Sequence, residues 1–214
     1  MTGRRQASAA RRAVSRRVLV AGLGNVFLGD DGFGVEVVRQ LGRARLPDGV
    51  HVADYGIRGI HLAYELLEGG YDSVVMIDAA PVGGRPGTLA VLDIDPGNPD
   101  GSGPLSALQV DGHSLHPLAV LQVLHAFGGR IGRVLVMGCQ PGELAERMGL
   151  SAPVRAAVAG AARLAAEVAT AEAAGGYGRP AAAQAAAGAG RCPDPGPDPG
   201  PGSEPGGQPI TAET

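Results

Sequence analysis

The sequence predicts an α/β fold, a three-layer sandwich in which helices cover both faces of a mostly parallel five-stranded sheet with one antiparallel edge strand. Short apolar segments alternate with segments of helical spacing along the middle of the chain. Such alternation is typical of parallel strands that helices cover on both faces. One connection, between the third and fourth strands, is shorter than the roughly twelve residues that a parallel crossover needs. The fourth strand is therefore predicted to be antiparallel and to lie at an edge.

The predicted elements follow one another along the chain in the order β-α-β-α-β-β-α-β-α. Apolar runs rich in β-branched residues predict four of the strands, at 18–21, 50–55, 73–78 and 133–138. Apolar residues at helical spacing predict four helices, at 32–43, 59–68, 115–127 and 151–172. Residues 88–92 are predicted to form the remaining strand, the one that follows the short connection.

Composition predicts one folded domain between two segments of different character. The chain has 214 residues, of which 44% are apolar, and this is enough for a single core of about 150 residues. Residues 18–174 are assigned to this domain. Residues 1–17 read as a disordered, arginine-rich arm, and residues 175–214 as a disordered tail rich in Pro, Gly and Ala, because neither has enough apolar surface to offset the entropy of ordering.

Charge, aromatic content and cysteine spacing exclude several classes of partner. A net charge of −3 and an aromatic content of 3% argue against nucleic-acid binding. No apolar run approaches the roughly 20 residues that span a bilayer. Cys139 and Cys192 lie far apart and predict no disulfide framework. These features indicate a cytoplasmic protein, and the lack of coiled-coil heptads favours a monomer.

Three side chains that can bind a metal lie next to predicted strand or helix ends. Asp31 follows the first strand, and Asp78 ends the third. In a doubly wound sheet of the flavodoxin kind, these strands are neighbours about 4.8 Å apart, and a crevice opens at their carboxyl ends. His113 begins the helix before the last strand and can reach this crevice if that helix lies over the same edge. Two carboxylates and an imidazole suit a borderline divalent cation and leave positions open for a substrate.

Each acid also has a purely structural explanation. Asp30 can cap the helix that begins near Gly32, and because two adjacent acids exceed what one cap requires, Asp31 stays available. Asp78 can bond a neighbouring loop, although a carboxylate after an apolar strand is costly to desolvate without a cation or donors. Asp54, near the end of the second strand, is expected to border the same crevice and to fix the turn that follows it.

The glycine-rich turn after the first strand invites comparison with a dinucleotide-binding loop. Gly22 and Gly24 match the first two glycines of that motif, but the third position is Phe27. The glycines are instead expected to turn the loop away from the sheet, with Asn25 fixing it through its side-chain amide. A nucleotide-binding α/β protein that uses the acids as Mg²⁺ partners remains an open alternative.

The sequence contains no convincing nucleophile arrangement of the Ser/His/Asp or Cys/His type. Cys139 follows a strand without an assigned base and is expected to be a small buried residue. The HExxH motif of zinc peptidases is absent.

Several motifs that occur in one order resemble those of the hydrogenase maturation endopeptidases, which finish the large subunits of [NiFe]-hydrogenases. Within about residues 17–172 they are GLGNVFLGDDGFGV, the Asp54-Tyr-Gly turn, VVMIDAAPVGGRPGT, HSLHPLAVL, and VMGCQP with a long final helix. By this resemblance, Asp31, Asp78 and His113 match the metal-contacting positions of the family. Asp31 stands where some members have the longer glutamate.

The resemblance implies a single cut that removes a C-terminal extension from the large-subunit precursor after nickel has been inserted. Asp31, Asp78 and His113 would recognise the nickel, which the precursor supplies. Three mechanisms fit such a site: the metal polarises the scissile carbonyl, it activates a water, or a carboxylate acts as general base. A non-catalytic nickel-binding hydrogenase assembly chaperone would use the same three ligands without cutting.

Overall fold

The computed structural model describes residues 15–97, 117–176 and 178, and its elements follow the predicted order. The strands are β1 (Val18–Leu23), β2 (Val50–Gly56), β3 (Ser73–Ala79), β4 (Leu89–Ile94) and β5 (Arg133–Cys139). The helices are α1 (Phe33–Leu41), α2 (Gly59–Glu68), α3 (Pro117–Ala126) and α4 (Ala152–Ala173).

The five strands form one sheet in the order β2-β1-β3-β5-β4. Four strands are parallel, and β4 runs antiparallel to β5 at the edge, which confirms the predicted mixed sheet. The reason is the predicted one, since the segment between β3 and β4 holds no helix to carry the chain back across the sheet. β1 and β3 are neighbours, with Gly22 paired to Ile77 near their carboxyl ends. The segment that follows β1 therefore begins beside the end of β3.

Helices cover both faces of the sheet, as predicted. α1 and α4 pack together on one face, and α2 and α3 pack together on the other. Alternate residues of β1 enter the two cores, Val18 and Val20 on the α1 side, Leu19 and Ala21 on the α2 side. Because the central strands are buried on both faces, they read as continuous apolar runs rather than as alternating ones.

Two glycines let α1 lie directly against the sheet. A Cβ on Gly34 would lie 2.1 Å from the carbonyl oxygen of Ile77, and one on Gly22 would lie 2.5 Å from the carbonyl oxygen of Gly34. The expectation that Gly22 serves the turn is therefore wrong, because Gly22 lies inside β1 and makes room for α1.

The ends of the chain lie mostly outside the described residues. Residues 15–17, the last three of the predicted arm, contact the domain: the Arg16 N–H donates to the Ala173 carbonyl at 3.1 Å, and the Arg17 N–H donates to the Asp72 carboxylate at 2.8 Å. Residues 1–14, 177 and 179–214 are not among the described ones. Within the described ranges, none of the helices has the length and apolarity to cross a membrane.

Candidate active site

Asp31 and Asp78 lie on adjoining segments at the carboxyl edge of the sheet. Asp78 is the next-to-last residue of β3 and is only 7% exposed, whereas Asp31 belongs to a 3-10 turn, Gly29–Gly32, between β1 and α1. Both carboxylates lie beside the short segment that follows β1, Gly24 and Asn25. The Asn25 N–H donates to Asp31 Oδ2 at 2.6 Å, and a Cβ on Gly24 would lie 3.6 Å from Asp78 Oδ1. The structure thus brings together the two acids that the sequence selected.

The surroundings of this acid pair favour a proton or a cation. Burial raises the pKa of Asp78 well above its ordinary value, the negative charge of Asp31 raises it further, and the Ala79 N–H opposes both. Burial also raises the pKa of Asp31, against the hydrogen bond from Asn25. A cation bound by the two carboxylates would remove the repulsion between them, and so would a proton on Asp78. Perturbed acids that lie together in this way are typical of functional sites.

The third predicted ligand, His113, lies outside the described residues. Within the described ranges, no group of three or more His, Cys, Asp or Glu side chains is placed to hold a metal ion. The helix that follows His113 has a defined place, however. Only residues 127–132 separate α3 from β5, so α3 ends at the amino edge of the sheet and begins, at Pro117, toward the carboxyl edge.

Asp30 has a different role from the one its position suggested. The predicted helix cap is wrong, because Gly32 is the N-cap of α1 and no side chain caps it. Instead the fully buried Asp30 carboxylate accepts hydrogen bonds from the N–H groups of Gly142, Glu143 and Ser151, at 2.8, 2.9 and 2.6 Å, and from the Ser151 hydroxyl at 2.8 Å. Burial would raise the pKa of Asp30, but these bonds outweigh it and hold that pKa below its ordinary value.

Asp54 also lies near the carboxyl edge of the sheet, but its side chain is on the face that α1 covers. Its neighbours in β2, Ala53 and Tyr55, pack toward α2, whereas the Asp54 carboxylate lies 3.6 Å from Nη2 of Arg39 in α1. The expectation that this carboxylate borders the crevice is therefore wrong. The turn after β2 is held by Arg58, which donates to the main-chain carbonyls of Asp54 and Tyr55 at 2.6 and 3.2 Å.

The loop after β1 is fixed by Asn25, as predicted. The Asn25 side-chain oxygen accepts the Phe27 N–H at 3.0 Å, and its main-chain oxygen accepts the Leu28 N–H at 3.0 Å. Asp30 and Asp31 then stand just before the N-terminus of α1, where a dinucleotide-binding protein holds its phosphates. Because the Asp31 carboxylate lies there, while that of Asp30 is buried against residues 142–151, a phosphate would meet a negative charge, and this disfavours the nucleotide-binding alternative.

Cys139 is a buried core residue, as expected. It is fully buried at the end of β5 in the core beneath α4. Burial raises the pKa of its thiol to about 12, with the negative charge of Asp30 adding to the effect. A thiol in this environment is not a nucleophile at neutral pH.

We expect Cys139 in the folded protein to resist alkylation. At about pH 8, iodoacetamide should modify it about a hundredfold more slowly than in the urea-unfolded chain, because only the exposed thiolate reacts. Peptide mass spectrometry of the two samples measures this ratio. Equal labelling of the folded and unfolded chains would show an accessible thiolate and contradict the assignment.

Comparisons with known proteins point to one family. The model of the hydrogenase maturation proteases matches residues 35–168. The hydrogenase expression/formation protein HoxM of Azotobacter vinelandii is 37% identical over 155 residues, which cover 70% of this chain and 70% of HoxM.

Solved structures agree with the sequence match. The hydrogenase maturating endopeptidase HybD of Escherichia coli superposes with a TM-score of 0.60 at 28% identity, covering 74% of this chain and 94% of HybD. A hydrogenase 2 maturation peptidase from a Thaumarchaeota archaeon gives a TM-score of 0.52 at 34% identity, covering 71% of this chain and 97% of that protein.

Proposed function

Because the chain belongs to the hydrogenase maturation protease family, we propose that it removes the C-terminal extension of a nickel-loaded [NiFe]-hydrogenase large-subunit precursor by one endoproteolytic cut. The observation that carries this proposal is the pair of acids at the carboxyl edge of the sheet, the buried Asp78 and the half-buried Asp31, both with raised pKa values. Catalytic and ligand-binding residues of open α/β sheets lie at this edge.

In this proposal the acid pair recognises the nickel that the precursor already holds. Asp31 and Asp78 repel each other when both are ionised, so a divalent cation between them relieves this repulsion. His113 is the third ligand in the proposal, and the start of α3 toward the carboxyl edge supports it. A precursor without nickel lacks the cation and binds poorly.

Exposed apolar side chains beside the acid pair support a protein as substrate. Phe27, Leu144 and Met148 are 62%, 52% and 72% exposed. The two loops that carry them are joined, since the Arg147 N–H donates to the Phe27 carbonyl at 3.0 Å. The Phe27 loop continues into the turn that carries Asp31. Apolar groups exposed together on a soluble domain mark interaction surfaces.

Water is the nucleophile that this site supports, because the one described cysteine, Cys139, is buried and protonated. Water oxygen bonds to the scissile carbonyl carbon, the C–N bond breaks, and the proton that water loses is passed to the new amine. A carboxylate can carry that proton through an oxygen that does not bind the nickel, and Asp31 and Asp78 are the two acids in place.

The test is mass spectrometry of a purified large-subunit precursor incubated with this protein. We expect the nickel-loaded precursor to lose its extension and the nickel-free precursor to stay intact. Asp31→Asn and His113→Ala should each slow the cut by about a hundredfold or more, the usual scale for loss of a catalytic group. Asp72→Asn is the matched control, because Asp72 is an exposed acid at the opposite edge of the sheet.

Two results would contradict the proposal in different ways. Stable binding of the nickel-loaded precursor with its extension intact would indicate an assembly chaperone rather than a protease. Cutting of the nickel-free precursor at the same rate would show that nickel is not what the enzyme recognises.

A further inference from the structure

We propose that Asp30 is a positioning residue, which holds Asp31 in place by fastening the turn that carries both acids to the connection between β5 and α4. The proposal rests on the proposed function of Asp31. It assigns distinct roles to two adjacent aspartates. Asp31 borders the candidate site, whereas Asp30 acts indirectly, by binding the connection between β5 and α4.

The Asp30 carboxylate binds both ends of one segment, residues 142–151. Gly142 and Glu143 donate to it from one end, and Ser151 donates from the other with both its N–H and its hydroxyl. Ser151 is the N-cap of α4, yet its hydroxyl makes no bond to the helix and instead bonds Asp30. Charge-assisted bonds of this kind are roughly twice as strong as neutral ones, so the carboxylate joins the start of α4 firmly to the turn.

Backbone hydrogen bonds join the same two segments. The Asp30 N–H donates to the Glu143 carbonyl at 3.0 Å, and the Gly29 N–H donates to the Arg147 carbonyl at 2.8 Å. Leu28 forms a parallel bridge with Arg147. The contact is also close, because Gly29 has a φ of +58° and a Cβ there would lie 2.8 Å from the Glu143 oxygen. The turn and segment 142–151 are therefore packed as one unit.

Asp31 depends on this unit for its position. It belongs to the same 3-10 turn, and its N–H donates to the Leu28 carbonyl at 3.2 Å. Its carboxylate reaches the Asn25 N–H at 2.6 Å. Rotation of the turn would move this carboxylate away from Asn25 and from Asp78. A displacement of about 1 Å can lower the rate of an enzyme by about a hundredfold.

The substitution Asp30→Asn removes the anchor with little change in size. Both carboxylate oxygens are engaged, Oδ1 by the Ser151 N–H and Oδ2 by three donors. In either orientation an Asn side chain therefore turns its NH₂ group toward an N–H donor. Ser151→Ala is the milder variant, because it deletes only the hydroxyl bond. Asp72→Asn is the control, since Asp72 also accepts a main-chain N–H but at the far edge of the sheet.

Amide hydrogen exchange at Asn25, followed by NMR, reports the position of the Asp31 carboxylate without any substrate. We expect Asp30→Asn to speed exchange at Asn25 by about tenfold or more while the Val20 amide of β1 stays protected, since only the local opening changes. In the same variant kcat/KM for the nickel-loaded precursor should fall by about a hundredfold. Ser151→Ala should shift both quantities in the same direction by less, and Asp72→Asn should shift neither.

The amide exchange rate at Asn25 and the rate of precursor processing together test the proposal. Wild-type exchange at Asn25 in Asp30→Asn would overturn it, and so would faster exchange with wild-type processing. If Asp30→Asn does not fold, the same two readings on Ser151→Ala decide in the same way. Failure of the wild-type protein to cut any precursor would instead refute the proposed function, while exchange at Asn25 would still test the anchor.

Discussion

Asp78→Asn is expected to make the protein more stable at neutral pH while it strongly slows processing of the precursor. Burial and the charge of Asp31 raise the pKa of Asp78 in the folded protein above its value in the unfolded chain. The folded state therefore holds this proton more tightly. As the pH rises from about 4 through the folded pKa, ionisation of Asp78 removes stability. An amide never ionises, so the variant avoids that loss.

The gain should appear in urea unfolding at about pH 4.5 and about pH 7.5. We expect the difference in free energy of unfolding between Asp78→Asn and wild type to grow with pH, by roughly 1.4 kcal/mol for each pKa unit between the folded and unfolded states. Processing should fall by about a hundredfold or more.

The exposed acid Asp72 again supplies the comparison. Asp72→Asn should leave processing of the precursor unchanged, because its side chain is exposed at the other edge of the sheet. A variant Asp78→Asn that is less stable than wild type at about pH 7.5 would mean that donors, rather than a proton or cation, satisfy the Asp78 carboxylate.

A carboxylate that lowers the stability of the free protein can still serve function if a cation that binds it arrives with the substrate. Sites that bind ligands commonly trade stability for function. In the proposed reaction the nickel of the precursor takes the place of the proton on Asp78, so binding should release a proton and become tighter as the pH rises. The same carboxylate that weakens the free protein then favours the loaded precursor over the nickel-free one.

The fold and the meeting of Asp31 with Asp78 could be predicted because both follow from local patterns and a general rule of topology. Strand and helix spacing gave the element order, and the short segment after β3 gave the antiparallel edge. Strands β1 and β3 are neighbours in the sheet, so acids in or just after their carboxyl ends lie near the same edge. The motifs likewise predicted the family, which the family model confirms.

The role of Asp30 could not be predicted from local patterns. Its partners lie 112 to 121 residues away along the chain, and no periodicity connects a turn after β1 to a loop after β5. Local signals offered only a helix cap, which is the commonest use of an acid at that position. The role of Gly22 is not visible in local patterns for a similar reason, because the need for space comes from α1 packing on the sheet. The ligand role of His113 stays a prediction.

Gly24→Ala is expected to disturb both acids at once. Gly24 has a φ of +112°, and a Cβ there would lie 1.8 Å from the main-chain oxygen of Asp31 and 3.6 Å from Asp78 Oδ1. The first contact is with backbone, so the turn that carries Asp31 must move. Backbone strain alone costs about 1 to 3 kcal/mol, and the clash adds to it. We expect the free energy of unfolding to fall by more than about 2 kcal/mol and processing to fall by about a hundredfold or more.

A second glycine separates the strain from the clash. Gly128 has a φ of +74°, but a Cβ there would meet nothing within 4 Å, so Gly128→Ala carries backbone strain without a collision. It lies between α3 and β5, at the opposite edge of the sheet from the acids. Urea unfolding should therefore show a loss of about 1 kcal/mol for Gly128→Ala with processing unchanged. Equal stability losses in the two variants, or active Gly24→Ala enzyme, would mean that the acid pair tolerates movement of its turn, and this would remove the geometric basis of the proposed site.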